Sequence, residues 1–165
     1  SGTAPGPLGA RHPSITPFEA YKTKDGYIII SAGNDGLFAK LAEALENPGW
    51  AENPDYSSND NRNKHVEKLK IEMESVLTAH TTSHWIEVLD KFGVPSGPIN
   101  DIGQAATHPQ TIARNMIVSV DDPITGPMKV AGNPIKISGF EDPETREPAP
   151  NLDQNREQIL RELTD

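Results

Sequence analysis

DGYIIISAGNDGLF, residues 25–38, runs from a turn through a strand into a helix. Asp-Gly is a common turn dipeptide, and the three consecutive isoleucines are β-branched residues that favour a buried strand over 27–31. Asn34 or Asp35 can cap the next helix, because either side chain can accept a hydrogen bond from its first turn. Apolar residues then recur at helical spacing until Pro48-Gly49. The stretch predicts a strand and a helix that share one core.

The flanking sequence extends this pattern in both directions. Residues 1–17 contain four prolines and three glycines and predict an extended linker, followed by one small domain over 18–165. A polar loop is expected over 52–63. Apolar periodicity and caps predict further helices at 62–79, 84–92, 101–107 and 109–115, and one that closes the chain near Leu163. Short β-branched runs at 116–120, 128–131 and 134–137 should join 27–31 in a small antiparallel sheet of three to four strands, an α+β fold.

Composition limits the classes of function. The chain has 165 residues with 35% hydrophobic residues, enough for one modest core. Its formal charge of −9 argues against nucleic acid and anionic membranes as partners, because both require clustered cations. There are no cysteines, which excludes disulfides and thiolate chemistry, and there is neither a signal-peptide pattern nor a membrane-length apolar run. A cytoplasmic protein is the expectation.

No complete active site is visible in the residues themselves. His80 and His84 are four apart, but no third ligand stands at metal-binding spacing, so no metal site is expected. Gly33-Asn34-Asp35-Gly36 before a helix lacks the Lys-Ser/Thr of a phosphate loop, and Asp121-Asp122 lacks the rest of a calcium loop. The best remaining candidate is the segment Gly9–Pro17, where Arg11 and His12 lie outside any regular element and could cover a ligand. An ordered linker is the alternative.

Several short motifs, taken in order, resemble CoA-transferase family III, the group that includes formyl-CoA transferase. The lead-in to the family's second domain is matched at Gly9, His12 and Pro13, with Ala10 where asparagine is usual. Further matches are Trp85, Leu89, Gly93-Val94-Pro95, Gly97-Pro98-Ile99-Asn100, Pro109-Gln110, Ala113-Arg114, Met116 and Pro148-Ala149-Pro150-Asn151-Leu152. Asp153 and Asn155 replace the family's usual glycine and histidine, which weakens any role carried by those two positions.

The resemblance implies an enzyme of two domains in interlocked homodimers, with CoA and a catalytic aspartate held by a large domain that would lie upstream of this chain. That aspartate would form a mixed anhydride with the acyl group of an acyl-CoA, and CoA would pass to a carboxylic acid. Coenzyme A thioester is then a substrate, and no tightly bound cofactor is implied. No residue of this chain is assigned as the catalytic aspartate.

By the same resemblance, a loop of the small domain closes over the thioester, and Gly9, Arg11, His12 and Ser14 are its candidate residues here. The chain alone would be inactive. Two alternatives stay open: a fragment of an α-methylacyl-CoA racemase, and a free-standing interaction module without chemistry.

Overall fold

The computed structural model describes residues 2, 4, 6, 7 and 9–164. The backbone divides into two compact units, Ser1–Ile99 and Asn100–Asp165. An antiparallel sheet of order β1-β2-β3 belongs to the first unit, and its strands are β1 (Phe18–Lys22), β2 (Tyr27–Ser31) and β3 (Ser96–Pro98). Within the central strand, alternate isoleucines Ile28 and Ile30 are fully buried, as the period of a strand requires.

Five helices of the first unit follow β2: α1 (Asp35–Ala44), α2 (Gly49–Glu52), α3 (Asn59–Lys64), α4 (Val66–Leu77) and α5 (Thr82–Lys91). Three of them begin at side-chain caps. Asn34 Oδ1 accepts the Leu37 N–H at 2.8 Å, Ser58 Oγ caps α3, and Thr81 Oγ1 caps α5. The predicted cap of α1 is therefore resolved in favour of Asn34.

One hydrophobic core joins these elements. The apolar faces of α1 and α4, repeating at three and four residues, close over the buried face of the sheet. Its fully buried members include Tyr21, Ile28, Ile30, Leu41, Leu45, Tyr56, Leu69, Met73, Leu77 and Leu89. Trp85 of α5 also belongs to this core, and its indole N–H donates to the Leu77 carbonyl at 2.7 Å.

The second unit contains α6 (Ile102–Thr107), α7 (Pro109–Ala113), β4 (Ile117–Asp122), β5 (Gly126–Ala131), β6 (Thr145–Arg146) and α8 (Arg156–Glu162). Its sheet has the order β5-β4-β6, antiparallel between β4 and β5 and parallel between β4 and β6. Val118 is the one buried apolar side chain among the described residues of this unit. This unit therefore has almost no core of its own.

The α+β class is confirmed, whereas several element predictions are wrong in detail. The predicted single sheet is two separate three-stranded sheets, and 134–137 is not a strand. The expected polar loop contains helix α3, and the helix predicted over 62–79 is divided at His65 into α3 and α4. Strands β1 and β3 were not predicted. No helix among the described residues is long and apolar enough to cross a bilayer.

Candidate functional site

Residues 9–17 form a folded loop that leads into β1. Gly9 has φ +64°, a left-handed conformation that glycine adopts without strain. The chain then turns back, because the His12 N–H donates to the Phe18 carbonyl at 2.9 Å and the two rings stack 5.4 Å apart. His12 Nδ1 accepts the Ser14 N–H at 3.2 Å. His12 thus holds the first part of the loop in shape.

The second part of the loop is held by two asparagines of α3. The Ser14 carbonyl accepts a hydrogen bond from the amide of Asn59 and another from the amide of Asn63, each at 2.8 Å. In return, the Thr16 N–H donates to Asn59 Oδ1 at 3.1 Å, and the Thr16 hydroxyl donates to Asn63 Oδ1 at 2.6 Å. Both asparagines therefore bind the loop reciprocally, as donor and as acceptor.

Between them, the fully buried Arg62 completes the attachment. Its guanidinium donates to the Thr16 carbonyl at 2.7 Å, to the Tyr56 carbonyl at 2.8 Å and to Asp35 Oδ1 at 2.7 Å. The guanidinium carbon also lies 4.5 Å from the centre of the Phe38 ring. A buried cation is costly unless it is paired and hydrogen-bonded, and Arg62 meets both conditions.

The four residues predicted for the loop lie together in it. Gly9 and Ser14 are exposed, while Arg11 and His12 are half-buried. No described residue forms an ion pair with the Arg11 guanidinium, a group suited to carboxylate and phosphate ligands. The His12 side chain is already used within the loop, so Arg11 and Ser14 are the two residues whose polar side chains could contact an anionic ligand.

β1, which follows the loop, is joined to α4 by a partly buried ion pair. Glu19 is almost fully buried and pairs with Lys70. The hydroxyl of Tyr21 is buried and has no hydrogen-bond partner among the described residues. Burial raises the pKa of Tyr21, and the charges of Glu19 and Glu74 raise it further, so this phenol stays neutral. The contacts of Lys70 with Glu19 and with the Ala20 carbonyl tie β1, the strand that follows the loop, to α4.

His80, between α4 and α5, and His84, in the first turn of α5, lie together in the first unit. The rings of His80 and His84 stack 4.2 Å apart, and both meet the Trp85 ring edge-on. Among the described residues, no group of three histidines, cysteines or acidic residues could hold a metal ion. The pair therefore packs on an aromatic side chain.

Two other candidate motifs have structural roles. In the sequence Gly33–Gly36, Asn34 is a helix cap and Asp35 pairs with Arg62, so both polar side chains have structural partners. Asp122 accepts the N–H groups of Ile124 and Thr125, and these hydrogen bonds lower its pKa. That carboxylate closes the turn between β4 and β5.

Sequence reasoning missed the attachment of the loop to α3. Asn59, Arg62 and Asn63 stand in a segment rich in asparagine and serine, which suggests a loop. A usable signal was nevertheless present. Ser58 is a cap-type residue, and the three polar side chains follow at helical i, i+3, i+4 spacing, which places them on one face.

The sequence matches known proteins along most of its length. Residues 1–156 match the sequence model of CoA-transferase family III. The chain belongs to CoA-transferase family III. It is 38% identical to the acetyl-CoA:oxalate CoA-transferase of Acetobacter aceti over 163 residues, which are 99% of this chain and 41% of that protein. It is 34% identical to the human succinyl-CoA:glutarate CoA-transferase over 94% of this chain and 35% of that protein.

A solved structure agrees with the family assignment. The chain resembles a CAIB/BAIF family protein from Brucella suis with a TM-score of 0.76 and 31% identity, over 99% of this chain and 42% of that one. This family III chain therefore spans about two fifths of the length of the relatives it matches.

Proposed function

We propose that this chain is the small-domain portion, with boundaries near 18–165, of an enzyme that moves CoA from an acyl-CoA donor to a carboxylic acid. The likeness to named CoA-transferases over nearly the whole chain carries the proposal. The acids in the names of these relatives are oxalate, glutarate and mesaconate, all dicarboxylic acids. We therefore infer a dicarboxylate acceptor, with acetyl-CoA or succinyl-CoA as donor.

In the proposed reaction, an aspartate outside this chain attacks the thioester carbonyl and forms a mixed anhydride as CoA thiolate leaves. The thiolate attacks the aspartyl carbonyl of this anhydride, so the donor acid leaves and an aspartyl-CoA thioester forms. The acceptor carboxylate then displaces the thiolate to give a second anhydride, and attack of the thiolate on the acceptor carbonyl yields the new acyl-CoA and frees the aspartate. Water can hydrolyse each of these intermediates. A loop that covers them would favour transfer over hydrolysis by keeping water out.

We assign that covering role to the loop of Gly9, Arg11, His12 and Ser14. Two observations support it: the loop is fixed by His12 at one end and by α3 at the other, and its Arg11 has no ion-pair partner among the described residues. We expect Arg11 to bind a carboxylate of the acceptor or of the thioester's acyl group. The exposed Ser14 lies next to the anchored part of the loop.

The test uses the full-length protein that contains this chain. Acetyl-CoA and succinyl-CoA are each supplied with oxalate, glutarate or mesaconate, and acyl-CoA products are separated by chromatography. We expect transfer to at least one acceptor, with a large loss of turnover in Arg11→Ala and Ser14→Ala. Lys24→Ala, an exposed cation in the turn between β1 and β2, serves as the control. Absence of transfer with every pair would contradict the proposal.

A second test uses the isolated chain. Calorimetric titration with CoA should give no heat, and no turnover should be detected, because the CoA site and the aspartate are assigned to the rest of the protein. Micromolar binding by the chain itself would instead favour a module with its own CoA site. Epimerisation of a 2-methylacyl-CoA by the full-length protein, without transfer, would favour a racemase.

We further propose that the enzyme is a homodimer. Six large apolar side chains of the second unit are each at least 69% exposed, namely Ile102, Ile124, Ile135, Phe140, Leu152 and Leu163. Apolar surface of this extent is typical of protein that another domain or subunit covers. We place the enzyme in the cytoplasm, since a cysteine-free sequence needs no oxidising compartment.

A further inference from the structure

One face of α3 holds the loop by its backbone. Asn59, Arg62 and Asn63 follow one another at i, i+3 and i+4, so their side chains leave the helix on the same side. We call these three residues the α3 clamp. Each of them makes at least one hydrogen bond to Ser14 or Thr16.

The clamp uses all three polar groups of Thr16. Its N–H, carbonyl and hydroxyl are bound by Asn59, Arg62 and Asn63 respectively. Thr16 is buried with 2% exposure, so these bonds are shielded from competing water. The clamp also binds the Ser14 carbonyl, but none of its hydrogen bonds goes to the side chain of Arg11 or of the exposed Ser14. The clamp therefore determines the backbone path of the loop without occupying the surface that a ligand would meet.

We propose that the α3 clamp consists of positioning residues for the proposed transfer reaction, which keep the loop closed against water. The inference rests on the proposed function, because a water-excluding loop matters only if a hydrolysable intermediate forms. A loosened loop would admit water to the anhydride or thioester. The acyl-CoA would then be hydrolysed to free acid and CoA thiol, with water supplying the oxygen, and the acceptor would receive no CoA.

Isosteric substitutions distinguish the effect of the clamp's hydrogen bonds from a general effect on α3. Asn59→Asp and Asn63→Asp keep one oxygen acceptor but replace the amide donor to the Ser14 carbonyl with a second oxygen, which repels that carbonyl. Asn61→Asp is the matched control. It makes the same change of shape and charge in the same helix, but the bond it loses goes to the Pro54 carbonyl, outside the loop.

The first measurement follows the loop itself in the 165-residue chain. Amide hydrogen exchange at Thr16 should accelerate about tenfold in N59D and N63D, the effect of one to two lost hydrogen bonds, and should stay unchanged in N61D. Equal acceleration in all three variants would mean that added charge loosens α3 as a whole. Unchanged exchange in N59D and N63D would mean that the clamp does not hold the loop. Either result overturns the inference.

The second measurement uses the full-length protein. It records the ratio of acyl-CoA hydrolysed to CoA transferred, which does not depend on the fraction of folded molecules because unfolded protein catalyses neither step. N59D and N63D should raise the ratio several-fold with little change in KM for the acyl-CoA, and N61D should leave it at the wild-type value. An unchanged ratio despite faster exchange at Thr16 overturns the positioning role. Absence of transfer by the wild-type protein would instead refute the proposed function, and the exchange result would still decide whether the clamp exists.

Discussion

Replacement of Arg62 by methionine should destabilise the first unit more than replacement of its ion-pair partner. Arg62→Met keeps a long, largely apolar side chain in a fully buried position but removes three hydrogen bonds. Two of the groups left behind are the carbonyls of Thr16 and Tyr56. An unsatisfied buried acceptor costs about 1–3 kcal/mol. For two such acceptors we expect a loss of roughly 2–6 kcal/mol in the free energy of unfolding.

Asp35→Asn provides the contrast on the other side of the same pair. The variant removes the counter-charge of the buried Arg62, but the Asn amide oxygen can still accept the Arg62 N–H, and water can reach the pair from the 63% exposed side of residue 35. We expect a loss of about 1–2 kcal/mol. Urea unfolding followed by tryptophan fluorescence suits the comparison, because both tryptophans, Trp50 and Trp85, lie in the first unit with Arg62. Equal losses in the two variants would refute the reasoning, since the ion pair and not the backbone hydrogen bonds would then be the main stabilising contact.

Three further outcomes are expected. Gly132→Ala should disrupt the end of the β4–β5 hairpin, because a Cβ there would collide with the Asn115 carbonyl. Gly139→Ala, with open space around the new Cβ, should be neutral. Thermal unfolding followed by circular dichroism compares the two variants. The pKa of Asp25 is lowered chiefly by a hydrogen bond from the backbone N–H of Thr82. The contribution of Asp25 to stability is therefore present above its unfolded pKa of about 3.9, and it is lost as the pH falls through the lower folded pKa. Asp25→Asn should therefore flatten the fall in the urea midpoint below about pH 4, and an unchanged slope would contradict this assignment. The isolated chain should self-associate in sedimentation through its exposed apolar surface, and a monomer at high concentration would argue against it.

Local signals in the sequence were sufficient for the elements with strong periodicity. The isoleucines of β2, the apolar stripe of α4 and the cap of α5 each predict a structure that forms. The family could also be identified from short motifs in their order along the chain. These features depend on residues close together in sequence, where propensity, capping and side-chain period act directly.

Only the tertiary structure decided how the loop is held. Ser14 and Thr16 meet Asn59, Arg62 and Asn63 across 43 to 49 positions of sequence, and no local pattern links them. The hydrophobic period that predicts an amphipathic helix is missing from α3, because the face it buries is polar and is covered by backbone carbonyls and amides. A buried polar face looks like a solvated loop in the sequence. Its hydrogen-bond partners, which make burial possible, become visible only when the chain has folded.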